Sequence, residues 1–291
     1  PEVIEAIDRS VEIAESRYRG MVIYNEGENF SVGANLMLVA MAAAGGDFDS
    51  IGKLARAFQR ANQRVKYSKV PVVAAPFGMT LGGGLELCLG AAAVQAAAET
   101  YSGLVEAGMG LIPGGGGTLN LLWRAFEGVP EGAAVDPYAL ITQVFKNIAL
   151  AKVATSADEA KELGFLRRTD GVTFNRTRLL HDAKQRCLGL ASSGWLPPAP
   201  RAYKLPGESG IATLKMMVLS LQQSGHATEH DAVVATRLAH VLCGGLDGAA
   251  APVTEEKLLE LEAEAFLSLC GEPKTQERMQ YFLMNNKPLR N

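Results

Sequence analysis

The chain has 291 residues and a net charge of −3, from 28 Lys and Arg against 31 Asp and Glu with His neutral. That balance excludes partners recognised by bulk positive charge, so neither nucleic acid nor an anionic membrane surface is expected. With 48% apolar and 20% charged residues it has a globular composition, long enough for about two domains or one with a large extension.

In chain order, residues 1–16 place Val3, Ile4, Ile7, Val11 and Ile13 or Ala14 on a helical stripe, and 20–24 read as a short buried strand. After a glycine-rich loop, 48–68 form the clearest amphipathic helix. Leu54, Phe58, Ala61 and Val65 face inward, and Lys53, Arg56, Arg60 and Arg64 form a solvated face. Residues 70–75 follow at once as a second buried strand, the order of a wound α/β layer. From 70 to 98 the only charged residue is Glu86, but Pro71, Pro76 and Gly82 to Gly84 would break a membrane-spanning helix, so buried core is expected. Beyond Ser156, where Ser156 to Glu159 has the form of a capping box, the periodicity is helical: 157–163, 175–191, 211–223, 229–243, 255–268 and 274–285. The proline-rich segment 195–200 and the turn 205–207 punctuate this half. A boundary is expected near 190, giving a core of 1–190 and a helical region of 191–291.

Cys88, Cys187, Cys243 and Cys270 form no CxxC pair, which fits free thiols in a reducing cytoplasm, and the opening segment is acidic and amphipathic rather than a secretory leader. The chemistry is expected in the two charge-poor stretches, where Glu86 and Glu106 are each the lone carboxylate among apolar and glycine residues. Burial there would raise their pKa values and let them work as an acid/base pair near neutral pH. In Gly78 to Leu87 a strand ends, three glycines turn the chain and an apolar helix begins. Asn29 to Asn35 is a second strand-to-helix turn. Free N–H groups at two such turns can converge into an oxyanion hole. Other signals fail: Gly108 to Pro113 has proline where a GxGxxG fingerprint needs glycine, no P-loop or GxSxG elbow occurs, and His226 with His230 is not HExxH, so no metal site is expected.

At these residues the sequence resembles the crotonase (enoyl-CoA hydratase) superfamily. Phe30 to Asn35 is similar to its first oxyanion turn, Leu81 to Glu86 to its second turn with a first catalytic glutamate, and Glu106 to Thr118 to its second glutamate and glycine loop. Lys69 to Ala75 and Ser156 to Gly164 fit the same order, and the likeness is firm over about 20–165. The tail ending at Lys287 to Asn291 resembles the C-terminal part of bacterial proteins that fuse a 3-hydroxyacyl-CoA dehydrogenase to a hydratase.

The resemblance implies an α/β fold, a crotonase-type ββα spiral core with a helical C-terminal extension, and reversible hydration of trans-2-enoyl-CoA to 3-hydroxyacyl-CoA in fatty-acid β-oxidation. It makes Ala34 and Gly83 the main-chain donors to the thioester oxygen, Glu86 the residue that holds and activates water, and Glu106 the carrier of the Cα proton. Gly33, Gly82, Gly84, Gly110, Pro113 and Gly114 would line the substrate. No metal or redox cofactor is implied, and NAD only for a dehydrogenase domain outside this chain. The expected partners are an acyl-CoA substrate and either further copies of the chain or a fused or associated 3-hydroxyacyl-CoA dehydrogenase and thiolase. Three departures stand out: Asn35 replaces the family's usual Asp, 126–154 is longer than in a simple hydratase, and the family's opening strands would precede Pro1, so the core is expected to be N-terminally incomplete. An enoyl-CoA isomerase needs only one shuttling carboxylate, and a non-catalytic CoA-binding or scaffold module needs neither; the presence of both glutamates favours hydration.

Overall fold

A computed structural model describes residues 2–130, 133 and 135–291. Pro1, at the start of the first expected helix, and residues 131, 132 and 134, within the long segment 126–154, lie outside the described residues. The first layer follows the order expected from the sequence, but Val3, expected on the inner stripe of the first helix, is 72% exposed. Helix α1 (Glu2–Arg17) buries Val11 and Ala14, strand β1 (Met21–Ile23) follows, and α2 (Leu36–Ala44) occupies part of the loop expected before residue 48. Asn35 starts α2: its side chain accepts the Met37 and Leu38 N–H groups, a capping task that Asn and Asp perform about equally well.

Helix α3 (Phe48–Lys66) buries Ile51, Ala55, Ala61 and Val65 as its apolar stripe, but Gln59 and Asn62 are on the same inner face. The charge-poor stretch resolves into β2 (Val72–Ala74), β3 (Gly78–Leu81), α4 (Gly83–Gly90) and β4 (Ala93–Ala97). Its helix has only 8 residues, and among the described residues no helix is long and apolar enough to cross a membrane. Strand β5 (Thr100–Gly103), a 3-10 turn (Glu106–Met109), α5 (Gly117–Phe126), α6 (Pro137–Ala149), β6 (Val153–Ala154), α7 (Ala157–Glu162) and β7 (Gly171–Thr173) complete the α/β part. Two sheets result. One is parallel, in the order β1-β2-β4-β7; in the other β3 pairs parallel with β5, and β5 antiparallel with β6.

The helical half comprises α8 (Leu179–Ser192), β8 (Ala202–Tyr203), α9 (Gly207–Gln223), α10 (Glu229–Leu242), β9 (Val253–Thr254), α11 (Glu255–Cys270) and α12 (Pro273–Asn285). Helix α9 begins at Gly207 rather than at 211, because Pro206 precedes a glycine at φ 57° whose N–H bonds the Cys243 carbonyl. The capping box expected at Ser156 is half formed: Ser156 accepts the Glu159 N–H, but the Glu159 carboxylate turns to the Thr155 N–H and hydroxyl. A complete box starts α10, between Thr228 and Asp231. One apolar cluster runs from Phe30, Val73 and Leu85 through Leu122 and Ile148 to Leu238 and Leu269, so the C-terminal helices share the core of the sheets. Such continuity fixes helices of the second half against loops of the first.

Candidate active site

The site is assembled by strand ends. In β3 and β5 Leu81 pairs with Gly103, and an isolated parallel bridge joins Ser31 to Thr80. Three segments therefore leave the sheet side by side in the same direction: Ser31 toward Ala34, Leu81 toward α4, and Gly103 toward the turn that carries Glu106. Ligands of open α/β sheets bind outside the carboxyl ends of strands, because loops from several strands converge there.

Two glycines make the convergence close. Gly33 (φ 97°) and Gly82 (φ 53°) adopt backbone that other residues rarely reach, and a Cβ built on Gly33 would lie 3.3 Å from the Gly83 nitrogen. A Cβ on Gly83 would lie 3.6 Å from the Ala34 nitrogen, so the two expected donors are neighbours. Gly83 is the first residue of α4, where an N–H has no intrahelical acceptor. The Ala34 N–H likewise has no hydrogen-bonded acceptor among the described residues.

Both expected carboxylates border this pair. A Cβ on Gly82 would fall 3.0 Å from Glu106 Oε1, and Glu106 Oε2 is buried with no hydrogen-bond partner among the described residues. Glu86, in α4, is 3% exposed, and its Oε1 accepts the Gly115 and Gly117 N–H groups, each at 2.8 Å. Burial pushes the Glu86 pKa well above the usual carboxylate value, the charges of Glu106 and Glu262 push it further, and the two N–H bonds oppose the shift. Burial also raises Glu106, to about 7, against its own backbone hydrogen bond and with help from Glu262. The carboxyl of Glu106 is enclosed although the residue as a whole keeps partial exposure. A carboxylic acid that exchanges its proton near pH 7 is suited to proton transfer at carbon.

The remaining expected lining residues divide by what their open sides meet. Gly33 and Gly82 face the donors and Glu106, as above. Gly84 faces Ser31, Gly110 faces Thr275 and His230, and Gly114 lies under the Phe266 ring, while Pro113 packs against Gly117. Phe58 of α3 sits beside both Gly83 and Gly115 and joins the two turns.

The sequence reading missed Glu262. It lies on α11, 0% exposed, and accepts the N–H groups of Gly116 at 2.6 Å and Thr118 at 2.9 Å together with the Gln59 amide at 3.1 Å. Its signal was available: Glu262 falls on the stripe of Leu258, Leu261, Ala265 and Leu269, at spacings that put it on the buried face of the helix. Asn62, also unanticipated, donates to the Gly115 carbonyl at 2.6 Å.

Comparison with known proteins agrees with this architecture. Residues 2–126 match the family model described as Enoyl-CoA hydratase/isomerase. A "Probable 3-hydroxyacyl-CoA dehydrogenase" of Bacillus subtilis (strain 168) is 47% identical over 290 residues, which is 100% of this chain and 36% of that protein. A "Peroxisomal bifunctional enzyme" of Cavia porcellus is 32% identical over 256 residues, 78% of this chain and 33% of that protein. The chain spans about a third of the length of these relatives. The crystal structure of an enoyl-CoA hydratase from Rhodobacter sphaeroides 2.4.1 superposes with a TM-score of 0.64 at 18% identity, over 99% of this chain and 84% of that one. For the enoyl-CoA hydratase from Bacillus halodurans the values are 0.62 and 15%, over 96% and 88%. At these identities the two structures speak for the fold. The fold is the crotonase fold of these solved structures. Residues 2–126 carry the match to the enoyl-CoA hydratase/isomerase family, and the sequence relatives include a bifunctional enzyme.

Proposed function

We propose that the chain catalyses the reversible hydration of trans-2-enoyl-CoA to 3-hydroxyacyl-CoA. The observation that carries this reading is the placement of two buried carboxylates, both with raised pKa values, beside two adjacent main-chain donors. In the proposed reaction the Ala34 and Gly83 N–H groups bind the thioester oxygen and stabilise the negative charge it gains as the enolate forms. Glu86, its Oε1 already fixed by Gly115 and Gly117, holds water and accepts its proton as the oxygen bonds to Cβ. Glu106 delivers a proton to Cα, and the C=C bond becomes a single bond with H at Cα and OH at Cβ. The unpartnered Glu106 Oε2 suits a group whose partner is the reacting molecule. Gly33 and Gly82 admit the substrate to the main chain; Gly84, Gly110, Pro113 and Gly114 shape the turns around it.

Adding water to an activated double bond is redox neutral, so this reading asks for no metal or redox group, and NAD belongs only to a dehydrogenase domain outside the chain. The similarity to longer relatives, among them proteins of Rickettsia named "Putative fatty acid oxidation complex trifunctional enzyme", supports work in fatty-acid β-oxidation as the hydratase part of a larger polypeptide or assembly. Four free cysteines, all buried, support a reducing cytoplasmic setting.

The test is the decay of the conjugated enoyl-thioester absorbance with short- and long-chain enoyl-CoA, using the full polypeptide that carries this sequence. The wild type turns over, and Glu86→Gln and Glu106→Gln each fall by about 10²- to 10⁴-fold. Isomerisation of 3-enoyl-CoA that survives Glu86→Gln would instead select the one-carboxylate isomerase, and CoA-thioester binding without turnover would select the scaffold.

A further inference from the structure

Four consecutive N–H groups of the glycine segment are divided alternately between two carboxylates. Gly115 and Gly117 donate to Glu86 Oε1, Gly116 donates to Glu262 Oε1, and Thr118 donates to Glu262 Oε2. We propose that Glu262, on a helix of the C-terminal half, is a positioning residue for the acid/base pair: its two-oxygen grip on Gly116 and Thr118 holds the segment in the conformation that presents Gly115 and Gly117 to Glu86. This rests on the hydratase reading for its rate readout, although not for its structural one.

The grip is built rather than incidental. Glu262 is fully enclosed, and its Oε1 also accepts from Gln59, whose amide is itself anchored to the Leu259 carbonyl at 3.0 Å. Gly116 stands at φ 96°, so the peptide planes of the segment turn about a position that only a glycine holds without strain. Asn62 fixes the opposite side of the segment through the Gly115 carbonyl. Successive N–H groups that point alternately to opposite sides require an acceptor on each. With only Glu86 in place, the Gly116 and Thr118 groups would be buried and unpaired, and the segment would rotate to satisfy them. Buried donors beside a carboxylate make strong hydrogen bonds, and those of Gln59, Gly116 and Thr118 oppose the rise that burial imposes on the Glu262 pKa. An amide at 262 could accept from one N–H, but would set its own NH2 against the other.

The charge has a second effect, since Glu262 pushes the pKa values of both Glu86 and Glu106 upward. Removing it therefore moves the titration of the pair, which simple loss of packing does not do.

The experiment compares Glu262→Gln and Glu262→Asp with the wild type in the full polypeptide, measuring thermal unfolding, kcat and KM for enoyl-CoA hydration across pH, and the carboxyl titration of Glu106 by 13C NMR. For Glu262→Gln we expect kcat to fall by about 100-fold while KM changes by less than about threefold, the consequence of a small misplacement near the reacting groups. The alkaline limb of the rate and the Glu106 titration both move to lower pH. Glu262→Asp keeps the charge, restores the limb, and recovers part of kcat. The inference is overturned if folded Glu262→Gln keeps kcat within about threefold and an unmoved limb, or if the rate falls only in proportion to the unfolded fraction. Should the Gln variant fail to fold, a folded Asp variant with wild-type kcat overturns it equally. If the wild type does not hydrate enoyl-CoA, the hydratase reading fails alone, and the Glu106 titration in the two variants still decides the role of Glu262.

Discussion

Glu86 Oε1 accepts the Gly117 N–H at 2.8 Å, and a Cβ built on Gly117 would fall 2.7 Å from that same oxygen. The absence of a side chain at 117 is thus what lets the carboxylate come down onto the main chain. Gly117 opens α5 with ordinary backbone angles, so the constraint is one of space and not of φ. In Gly117→Ala the methyl displaces the Glu86 carboxyl while leaving α5 free to form. The expected result is a loss of about 100-fold in kcat with a small change in KM, since the group is displaced but the donors at Ala34 and Gly83 are not. Steady-state hydration of a short-chain enoyl-CoA checks it, and a rate near wild type would show that Glu86 is not held as described.

The raised pKa of Glu106 makes its charge a burden on the fold. Between the ordinary value of 4.5 and about 7 the native state holds a proton that the unfolded chain has released, so stability from this group is greatest at low pH and is lost as pH rises through that window. A shift of this size corresponds to about 3 kcal/mol, on the scale of 1.4 kcal/mol per unit. Glu106→Gln, neutral at every pH, is therefore expected to unfold at higher temperature than the wild type at pH 8, with the advantage shrinking toward pH 5. Melting curves at the two values decide it; an equal difference at both would mean that Glu106 titrates normally. Gain of stability with loss of rate is the trade-off expected at a working acid.

Much of this was legible in the chain because each feature was local. A lone Glu among glycines and apolar residues is visible as text, and so are the strand, turn and helix order at 70–90 and the cap residue Ser156. Glu262 was not legible in the same way. It sits 146 positions from Gly116, in a helix rich in ordinary surface glutamates, and only its phase against Leu258, Leu261 and Ala265 separates it from Glu256, Glu260 and Glu264. The inward placement of Gln59 and Asn62 escaped notice for a related reason. Periodicity marks which face is buried, but not which polar residues on that face meet a partner from elsewhere in the chain.

Arg124 closes the other end of α4, the helix that carries Glu86. Its guanidinium, fully enclosed, donates to the Cys88 and Leu89 carbonyls at the end of α4 and to the Phe165 carbonyl, with Asp170 at 3.7 Å. A planar fork serves these separate carbonyls at once, and a lysine cannot. Arg124→Lys is expected to lower stability by about 2 to 4 kcal/mol, because carbonyls are left unpaired in a dry site. Urea unfolding measures it, and a loss below about 1 kcal/mol would show that water or neighbouring groups replace the fork.

The buried pair of Lys66 and Glu255 offers the strictest test of how the two halves are joined. Their charged atoms are 3.0 Å apart with both side chains under 10% exposed, and the Tyr67 hydroxyl donates to the same carboxylate oxygen at 2.6 Å. Burial lowers the Lys66 pKa to about 8 even though Glu255 opposes the shift, and the nearby Arg167 and Arg201 add to it. Between about 8 and the ordinary 10.5, the unfolded chain binds a proton that the native state does not, so this group makes stability rise with pH over that window. Lys66→Met strands a carboxylate in the interior and Glu255→Gln strands an ammonium, so each is expected to cost about 3 to 5 kcal/mol at pH 7. The double variant removes both charges and is expected to recover most of that loss, ending within about 2 kcal/mol of the wild type or above it, as apolar replacements of buried ion pairs do. In Glu255→Gln the rise of stability with pH should also begin below 8, since the opposing charge is gone. Urea unfolding of the four proteins from pH 6 to 10 separates these effects. If the single losses simply add in the double variant, the two side chains act independently and their pairing does not help to join α3 to α11.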